Sequence, residues 1–249
     1  MKVNWDYTSL AESYLKRPNY SEIAFDKFIS MTQTSAGMKC CDIGAGAAHL
    51  TKMLADFGLN VTAVEPNDAM RENGLNKTKH FSKVKWIDGT GEATKQKPNE
   101  FDIVTFGSSF NVCDRSAALI EVSRILKKSG WFMCLWNHRD LSDPIQAEIE
   151  KIIRKAVPSY GYGARRDDQT FIIQGSGLFS NITQFEGAIK HTQTVAECVE
   201  AWRSHATLSR QAGTVFSNII DTINSFLETL EQPAIEIPYT TVGWLARKS

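Results

Sequence analysis

The chain alternates short apolar runs with amphipathic helical patterns from residue 38 to residue 136. Between the first two runs, Leu50, Met53, Leu54 and Phe57 fall on one face of a helix. Strands that alternate with helices in this way favour a mostly parallel sheet with helices packed on both faces. The predicted strands are residues 38–43, 61–64, 84–87, 101–106 and 130–136.

The pattern changes after Trp136. Residues 161–170 are polar and contain two glycines, which predicts a flexible loop. Residues 181–187 and 234–248 alternate apolar and polar positions, as strands with one buried face do. Apolar side chains recur at helical spacing elsewhere in this half, which predicts amphipathic helices at residues 144–158, 195–210 and 215–230.

Composition argues against several classes of protein. Lys plus Arg and Asp plus Glu both number 28 in 249 residues, whereas a dedicated nucleic-acid binder usually carries a basic excess. No apolar run reaches about 18 residues and the N-terminus lacks the apolar core of a signal peptide, so we expect no membrane partner and a cytoplasmic location. The five cysteines include no CxxC pair, which favours buried thiols over a metal site.

The stretch CCDIGAGAAHL, residues 40–50, combines a strand end, an aspartate, a glycine-rich turn and a helix start. Gly44 and Gly46 allow a sharp turn and a close approach of the backbone to a ligand. The free N–H groups of the following helix suit a nucleotide-like cofactor. A dinucleotide and S-adenosylmethionine both fit this pattern, and a tight strand-to-helix turn without a ligand remains an alternative.

Two residues favour the sulfonium cofactor over a dinucleotide. His49 occupies the position of the last glycine in the dinucleotide pattern GxGxxG, where a side chain hinders close helix–strand packing. Asp42 would repel a pyrophosphate but suits a ligand with an ammonium and a sulfonium group. Glu65, at the end of the second strand, can accept hydrogen bonds from ribose hydroxyls in either case, so it does not discriminate.

Five segments resemble, in order, the motifs of class I S-adenosylmethionine-dependent methyltransferases, in particular the small-molecule branch described as type 11 or 25. The segments are CCDIGAGAAHLTKML, VTAVEPNDAM, WIDGTGEAT, FDIVTFGSSFNVCD and EVSRILKKSGWFMCLWN. The resemblance covers about residues 5–140 well and the rest loosely. It implies a Rossmann-like α/β/α sandwich with seven strands, mostly parallel, the last antiparallel, plus a helical lid or insertion.

We therefore expect a single methyltransferase domain over residues 1–249 that binds S-adenosylmethionine and releases S-adenosylhomocysteine. Its expected parts are N-terminal lid helices (1–35), a cofactor-binding core (36–140), a helical substrate-side insertion (141–180 and 190–232) and final strands (181–188 and 234–248). The expected partner is a small-molecule acceptor, and the expected assembly is a monomer or homodimer.

The resemblance also implies roles for individual residues around the cofactor. Arg17, in YLKRPNY, would approach the cofactor carboxylate from the lid, although a surface arginine before a proline is the alternative. Met70 would pack on the adenine, or simply belong to the core. The other cofactor-binding residues would be Asp42, Gly44, Gly46 and Ser108 at the methionine part, Glu65 and Pro66 at the ribose, and Thr90, Gly91 and Glu92 beside the adenine.

Methyl transfer from a sulfonium is an in-line displacement that depends mainly on proximity and alignment. A base is needed only where the acceptor carries a proton. His138 could serve as that base because the usual histidine pKa lies near neutrality; alternatively it is a loop or capping residue. Asn111 replaces a histidine that is common in related sequences, and it could hydrogen-bond an acceptor.

Aromatic residues near the lid and the insertion favour a planar or heteroaromatic acceptor that is methylated on oxygen or nitrogen. Arg203 could pair with an acidic substrate or be a solvated surface residue. The candidate substrate-binding residues are Tyr7, Tyr14, Trp136, Tyr160, Tyr162, Trp202, Arg203 and His205. Three other interpretations stay open: an NAD(P)-dependent oxidoreductase, a non-catalytic cofactor-binding protein, and a methyltransferase acting on RNA or protein.

Overall fold

The computed structural model describes residues 7–249, so the first six residues of the expected lid lie outside the described range. Seven strands form one sheet in the order β3-β2-β1-β4-β5-β7-β6. The strands are β1 (Lys39–Ile43), β2 (Asn60–Val64), β3 (Val84–Ile87), β4 (Phe101–Gly107), β5 (Leu126–Arg139), β6 (Phe179–Gln193) and β7 (Ile235–Lys248).

Neighbouring strands from β3 to β5 are parallel, and β7 runs antiparallel between β5 and β6. This arrangement confirms the predicted fold class, a mostly parallel seven-stranded sheet with an antiparallel last strand. Strand β1 pairs with both β2 and β4, so the chain order reverses there. Ligands of open α/β sheets bind at such a reversal, beyond the carboxyl ends of the strands.

Short polar side chains cap the N-termini of several helices. Ser21, Asn67, Asp114 and Asp143 each accept a backbone N–H of the helix that follows, and Thr194 forms a capping box with Glu197. Among residues 7–249 the α-helices are α1 (Ala11–Tyr14), α2 (Glu22–Thr32), α3 (His49–Asp56), α4 (Asp68–Thr78), α5 (Arg115–Ile125), α6 (Pro144–Ala156), α7 (Thr170–Gly175), α8 (Val195–Arg203), α9 (Ala206–Ala212) and α10 (Phe216–Glu228).

The helices of the second half form a separate apolar cluster at one end of the sheet. Side chains of α6, α8, α9 and α10 pack against Ile235, Ile237 and Tyr239, which lie at the start of β7. Because β7 is antiparallel to β5, its start lies beside the carboxyl end of β5, where Arg139 pairs with Tyr239. The helical cluster therefore covers the same edge of the sheet that carries the carboxyl ends of the parallel strands.

Three local predictions need correction. Strand β5 continues to Arg139 rather than ending at Trp136, because its polar end pairs with β7. Strand β6 likewise extends to Gln193 beyond the predicted end at residue 188, paired with β7 along its length. Residues 161–170 are not an irregular loop throughout: Gly163–Arg166 is a 3-10 turn, and the Gln169 amide donates to the carbonyls of Ala164 and Asp167.

Candidate functional site

A cavity of about 650 Å³ lies beyond the carboxyl ends of β1, β2 and β4. Its volume is within the range of small-molecule sites. It is lined by the glycine turn after β1, the loop after β2, the segment after β3, the loop after β4 and the N-terminal segment. The lining residues include Tyr7, Tyr14, Tyr20, Asp42, Gly44, Gly46, His49, Glu65, Pro66, Met70, Thr90, Gly91, Glu92 and Ser108.

The glycine turn needs its glycines for conformation and for space. Gly44 and Gly46 have φ of 64° and 53°, in the left-handed region that favours glycine. A Cβ on Gly44 would lie 2.4 Å from the Cβ of Ser109. Ser109 is itself fixed, since its hydroxyl donates to the Ile43 carbonyl at 2.6 Å. The turn is therefore packed against the end of β4 without room for a side chain.

Glu65 joins the glycine turn to the loop after β2. Its Oε2 accepts the Gly46 N–H and its Oε1 accepts the Asn67 N–H, both at 2.9 Å. Burial raises the pKa of this carboxyl, and the two N–H donors oppose that rise. A carboxylate oxygen can accept more than one hydrogen bond. Glu65 can thus hold the two loops together and still accept hydrogen bonds from a ligand.

Asp42 is fully buried at the end of β1. The Thr51 hydroxyl donates to its Oδ2 at 2.6 Å, and the Thr105 hydroxyl donates to its Oδ1 at 2.8 Å. Burial raises the pKa of Asp42 to about 6, although both hydroxyls favour the ionised form. A cation in the cavity would favour that ionised form further.

His49 attaches the N-terminal segment to the site. Its Nε2 donates to the Tyr14 carbonyl at 3.1 Å, and its Nδ1 lies 3.3 Å from the Lys77 ammonium. Burial and the Lys77 charge lower its pKa to about 3, so the ring is neutral at physiological pH. Tyr20 makes a second connection, with its hydroxyl 2.9 Å from the Ser108 hydroxyl. Together these contacts hold the lid over the cavity.

A smaller cavity of about 90 Å³ adjoins the first. The two share a wall formed by Tyr7, Tyr14, Tyr20, His49, Ser108 and Val112. The opposite wall comes from the end of β5, the 3-10 turn at 163–166 and the start of α9. Together with residues of the N-terminal segment, of the loop after β4 and of β7, these elements contribute Arg17, Asn111, Trp136, Asn137, Arg139, Arg165, His205 and Tyr239.

Comparisons with known proteins agree with this architecture. Residues 41–134 match the methyltransferase domain family. The ubiquinone/menaquinone biosynthesis C-methyltransferase UbiE of Zymomonas mobilis is 27% identical over 170 residues, which cover 66% of this chain and 70% of that protein. The demethylmenaquinone methyltransferase of Staphylococcus haemolyticus is 32% identical over 131 residues, about half of each chain (50% and 54%).

A structural relative extends the similarity to nearly the whole chain. Phosphoethanolamine N-methyltransferase 2 of Haemonchus contortus, solved with phosphomonomethylethanolamine and S-adenosylhomocysteine, superposes with a TM-score of 0.56 at 16% identity. The match covers 96% of this chain and 56% of the nematode chain. Residues 41–134 therefore form a methyltransferase domain, and the chain is similar to S-adenosylmethionine-dependent methyltransferases. The matched family segment contains the glycine turn and Glu65, whereas Arg17, Arg139, Arg165 and His205 of this methyltransferase lie outside it.

Ten of the eleven residues predicted to bind the cofactor line the larger cavity of the methyltransferase, and Arg17 is the exception. Arg17 lines the smaller cavity, where it donates to the Ser204 hydroxyl at 3.0 Å and to the Ser204 carbonyl at 2.6 Å. Its guanidinium also lies 3.9 Å from the Tyr14 ring centre. Arg17 thus connects the lid to the segment between α8 and α9.

The two catalytic candidates occupy different places. Asn111 lines the smaller cavity, with its Oδ1 accepting the Trp136 indole N–H at 2.8 Å. His138 does not line either cavity. Its Nε2 donates to the Arg165 carbonyl at 3.0 Å, and burial lowers its pKa to about 4. Asn137 and Arg139, the neighbours of His138 in β5, line the smaller cavity instead.

Four of the predicted substrate-binding residues line the smaller cavity: Tyr7, Tyr14, Trp136 and His205. The other four lie elsewhere. Tyr160 and Trp202 are buried in the helical cluster, and the Tyr162 hydroxyl donates to Glu150. Arg203 is 45% exposed and pairs with Glu200, so the surface alternative describes its position.

Several residues of the smaller cavity were not predicted from the sequence, among them Tyr20, Arg139, Arg165 and Tyr239. Alternation along WNHRD could have indicated Arg139, had β5 been extended to that residue. Arg165 lies in a segment that reads as solvated, and no local signal indicates its burial. Within residues 7–249, no cluster of His, Cys, Asp or Glu is arranged to hold a metal ion, and no helix is long and apolar enough to cross a membrane.

Proposed function

We propose that this methyltransferase binds S-adenosylmethionine in the larger cavity and transfers its methyl group to a small-molecule acceptor in the smaller one. The observation that carries the proposal is the shared wall between the two cavities. An acceptor in the smaller cavity would meet the donor at Ser108 and Tyr20. The residues that line the larger cavity also match the chemical groups of the cofactor.

Different residues would hold the different chemical parts of the cofactor. Glu65 would accept the ribose hydroxyls, and Asp42 in its ionised form would favour the positively charged methionine end. Met70 and residues 90–92 would enclose the adenine. When bound, S-adenosylmethionine supplies a methyl group already activated by its sulfonium.

The chain's own residues would then contribute orientation and exclusion of water. His49 is neutral, and both of its ring nitrogens already have partners, which makes it unsuited to remove a proton. His138 lies outside the cavity wall. We infer that the lid, tied down at Tyr14 and Tyr20, positions the acceptor, and that proximity accounts for most of the rate.

Calorimetry with S-adenosylhomocysteine and NAD⁺ tests the cofactor. We expect S-adenosylhomocysteine to bind and NAD⁺ not to bind, and the reverse result would favour an oxidoreductase. By linkage, a ligand at 100 times its dissociation constant stabilises the fold by about 2.7 kcal/mol. Transfer of label from methyl-labelled S-adenosylmethionine to a small-molecule extract would distinguish the enzyme from a non-catalytic binding protein.

A further inference from the structure

We propose that the smaller cavity binds an oxyanion group of the acceptor, a carboxylate or a phosphate, through Arg139 and Arg165. This inference rests on the proposed function and names the class of substrate. It differs from the expectation of a planar aromatic acceptor, and it moves the anion-binding role from Arg203 to arginines inside the site.

The charge of the smaller cavity is the first argument. Arg17, Arg139 and Arg165 line it, and no Asp or Glu of the described chain does so. None of the three arginines forms a salt bridge with any residue from 7 to 249. Three cations in one partly buried space, without an anion, are unfavourable unless a ligand supplies the negative charge.

Unused hydrogen-bond donors are the second argument. The Nε atoms of Arg139 and Arg165 are shielded from solvent and have no partner among the described residues. Buried donors are normally paired, and leaving one unpaired is unfavourable. A guanidinium offers its N–H groups in a fork that matches the two oxygens of a carboxylate or phosphate.

Arg139 is held in position without using its N–H groups. Its guanidinium carbon lies 3.9 Å from the centre of the Trp202 ring, and Trp202 stacks on His205 with ring centres 5.3 Å apart. Stacking on an aromatic face fixes the plane of a guanidinium and leaves its edge available for hydrogen bonds. The buried Trp202 is therefore a positioning residue for Arg139.

The contact between Arg165 and His205 is the third argument. His205 Nδ1 accepts the backbone N–H of Leu208 at 3.2 Å, so the proton of the neutral ring is on Nε2. That Nε2 lies 3.2 Å from Nη2 of Arg165, which is also a donor. Burial and the charges of Arg165, Arg139 and Arg17 lower the His205 pKa well below its usual value, which keeps the ring neutral. One acceptor oxygen placed beside this pair would satisfy both donors.

The size of the cavity agrees with such a group. About 90 Å³ is the volume of roughly three water molecules in the liquid, enough for a compact polar group. The remainder of an acceptor would extend past the shared wall toward the donor.

A binding experiment on the full-length protein, saturated with S-adenosylhomocysteine, tests the proposal. The probes are malonate, methyl phosphate, the neutral malonamide and the neutral, planar menadione, titrated at constant ionic strength and followed by saturation-transfer NMR. We expect malonate or methyl phosphate to bind saturably and at least about tenfold more tightly than malonamide, since charge-assisted hydrogen bonds are the stronger ones. The better of the two oxyanions identifies the group.

Matched substitutions locate the binding. Arg139→Gln and Arg165→Gln should each weaken oxyanion binding about tenfold or more, whereas Arg247→Gln, an exposed arginine on β7 outside both cavities, should not change it. Arg203→Gln serves as a second comparison, because an effect there in place of Arg139 and Arg165 would overturn the assignment. Retained affinity for S-adenosylhomocysteine shows that a variant is folded.

Three results would overturn the proposal: oxyanions that bind no better than malonamide, substitutions of both arginines without effect, or displacement of the oxyanion by S-adenosylhomocysteine. The last would assign the arginines to the cofactor carboxylate. The four probes on the unsubstituted protein decide the question even where a variant fails to fold. Failure of S-adenosylhomocysteine itself to bind would instead refute the proposed function.

Discussion

The larger and smaller cavities share a wall, yet their charged side chains are partnered in opposite ways. In the larger cavity, the two buried carboxylates are held by the protein: Asp42 by two hydroxyls and Glu65 by two backbone N–H groups. In the smaller cavity, Arg139 and Arg165 retain donors without partners. A site whose polar groups are satisfied is preorganised, whereas a site with unsatisfied donors gains its missing partners when a ligand binds.

The difference follows from which segments of the chain line each cavity. The larger cavity is built mainly from turns that follow β1 to β4 in sequence order, and its buried carboxylates find their partners within this core. The smaller cavity combines the lid, the end of β5, the 3-10 turn and the start of α9. The predictions below test this contrast, beginning with the largest expected effect.

Gly44→Ala should have the largest effect, and it should disrupt the preorganised larger cavity. The added Cβ would lie 2.4 Å from the Cβ of Ser109, and φ at this position is 64°. We expect a loss of about 2–4 kcal/mol in the free energy of unfolding and loss of S-adenosylhomocysteine binding. Urea unfolding and calorimetry measure the two effects. Gly175→Ala, with nothing within 4 Å of its Cβ, is the control and should stay close to the unsubstituted protein.

Glu65→Gln should weaken S-adenosylhomocysteine binding about tenfold to a hundredfold. The amide NH₂ would face the N–H of Gly46 or Asn67, so one hydrogen bond that joins the two loops is lost, along with the charge on the other. Calorimetry gives the affinity. Glu72→Gln, at an exposed position of α4, should leave it unchanged. Equal affinities in both variants would show that Glu65 does not contribute to the site.

Asp42→Asn should change how stability depends on pH. The pKa of Asp42 in the folded chain is about 6, above the value of about 3.9 expected in an unfolded chain. The contribution of this carboxyl to stability is therefore greatest at low pH and decreases as the pH rises through 6. Removal of the ionisable group should raise the free energy of unfolding by about 1 kcal/mol more at pH 8 than at pH 5.

Urea unfolding of the two proteins at both pH values measures this difference. A constant difference across the range would mean that Asp42 does not titrate there. The same ionisation predicts that the protein binds the positively charged S-adenosylmethionine more tightly at pH 7 than at pH 5, and that Asp42→Asn reduces this dependence.

Arg165→Gln should have the smallest effect on the free energy of unfolding of the ligand-free protein. Unlike Gly44→Ala, it should not lower that free energy. Burial, together with the charges of Arg17 and Arg139, lowers the pKa of Arg165 to about 10, so its charge is unfavourable in the folded state. We expect its removal to leave the free energy of unfolding unchanged or raise it by about 1 kcal/mol in the absence of a ligand. Thermal and urea unfolding test this, with Arg247→Gln as the control. A clear loss of stability would make Arg165 a structural residue and remove the contrast between the cavities.

Individual residues show which parts of the site could be predicted from the sequence alone. Asp42, Gly44, Gly46 and Glu65 were predictable because each stands at the end of an apolar strand, and the topology of a parallel sheet brings strand ends to one edge. His138 was chosen as a base for its chemistry alone. The pairing of β5 with β7 turns it away from the cavity and presents Arg139 instead.

By itself, then, the sequence determined the sheet and the glycine turn and favoured one cofactor, because these depend on short segments whose spacing and chemistry are local. The tertiary structure alone decided the acceptor side. Arg17, Arg139, Arg165 and His205 are separated by 26 to 188 residues along the chain, and they meet because β7 inserts antiparallel beside β5 and the helical cluster packs on its start. Contacts across such separations depend on strand order and packing, which local patterns of apolar and polar residues do not encode.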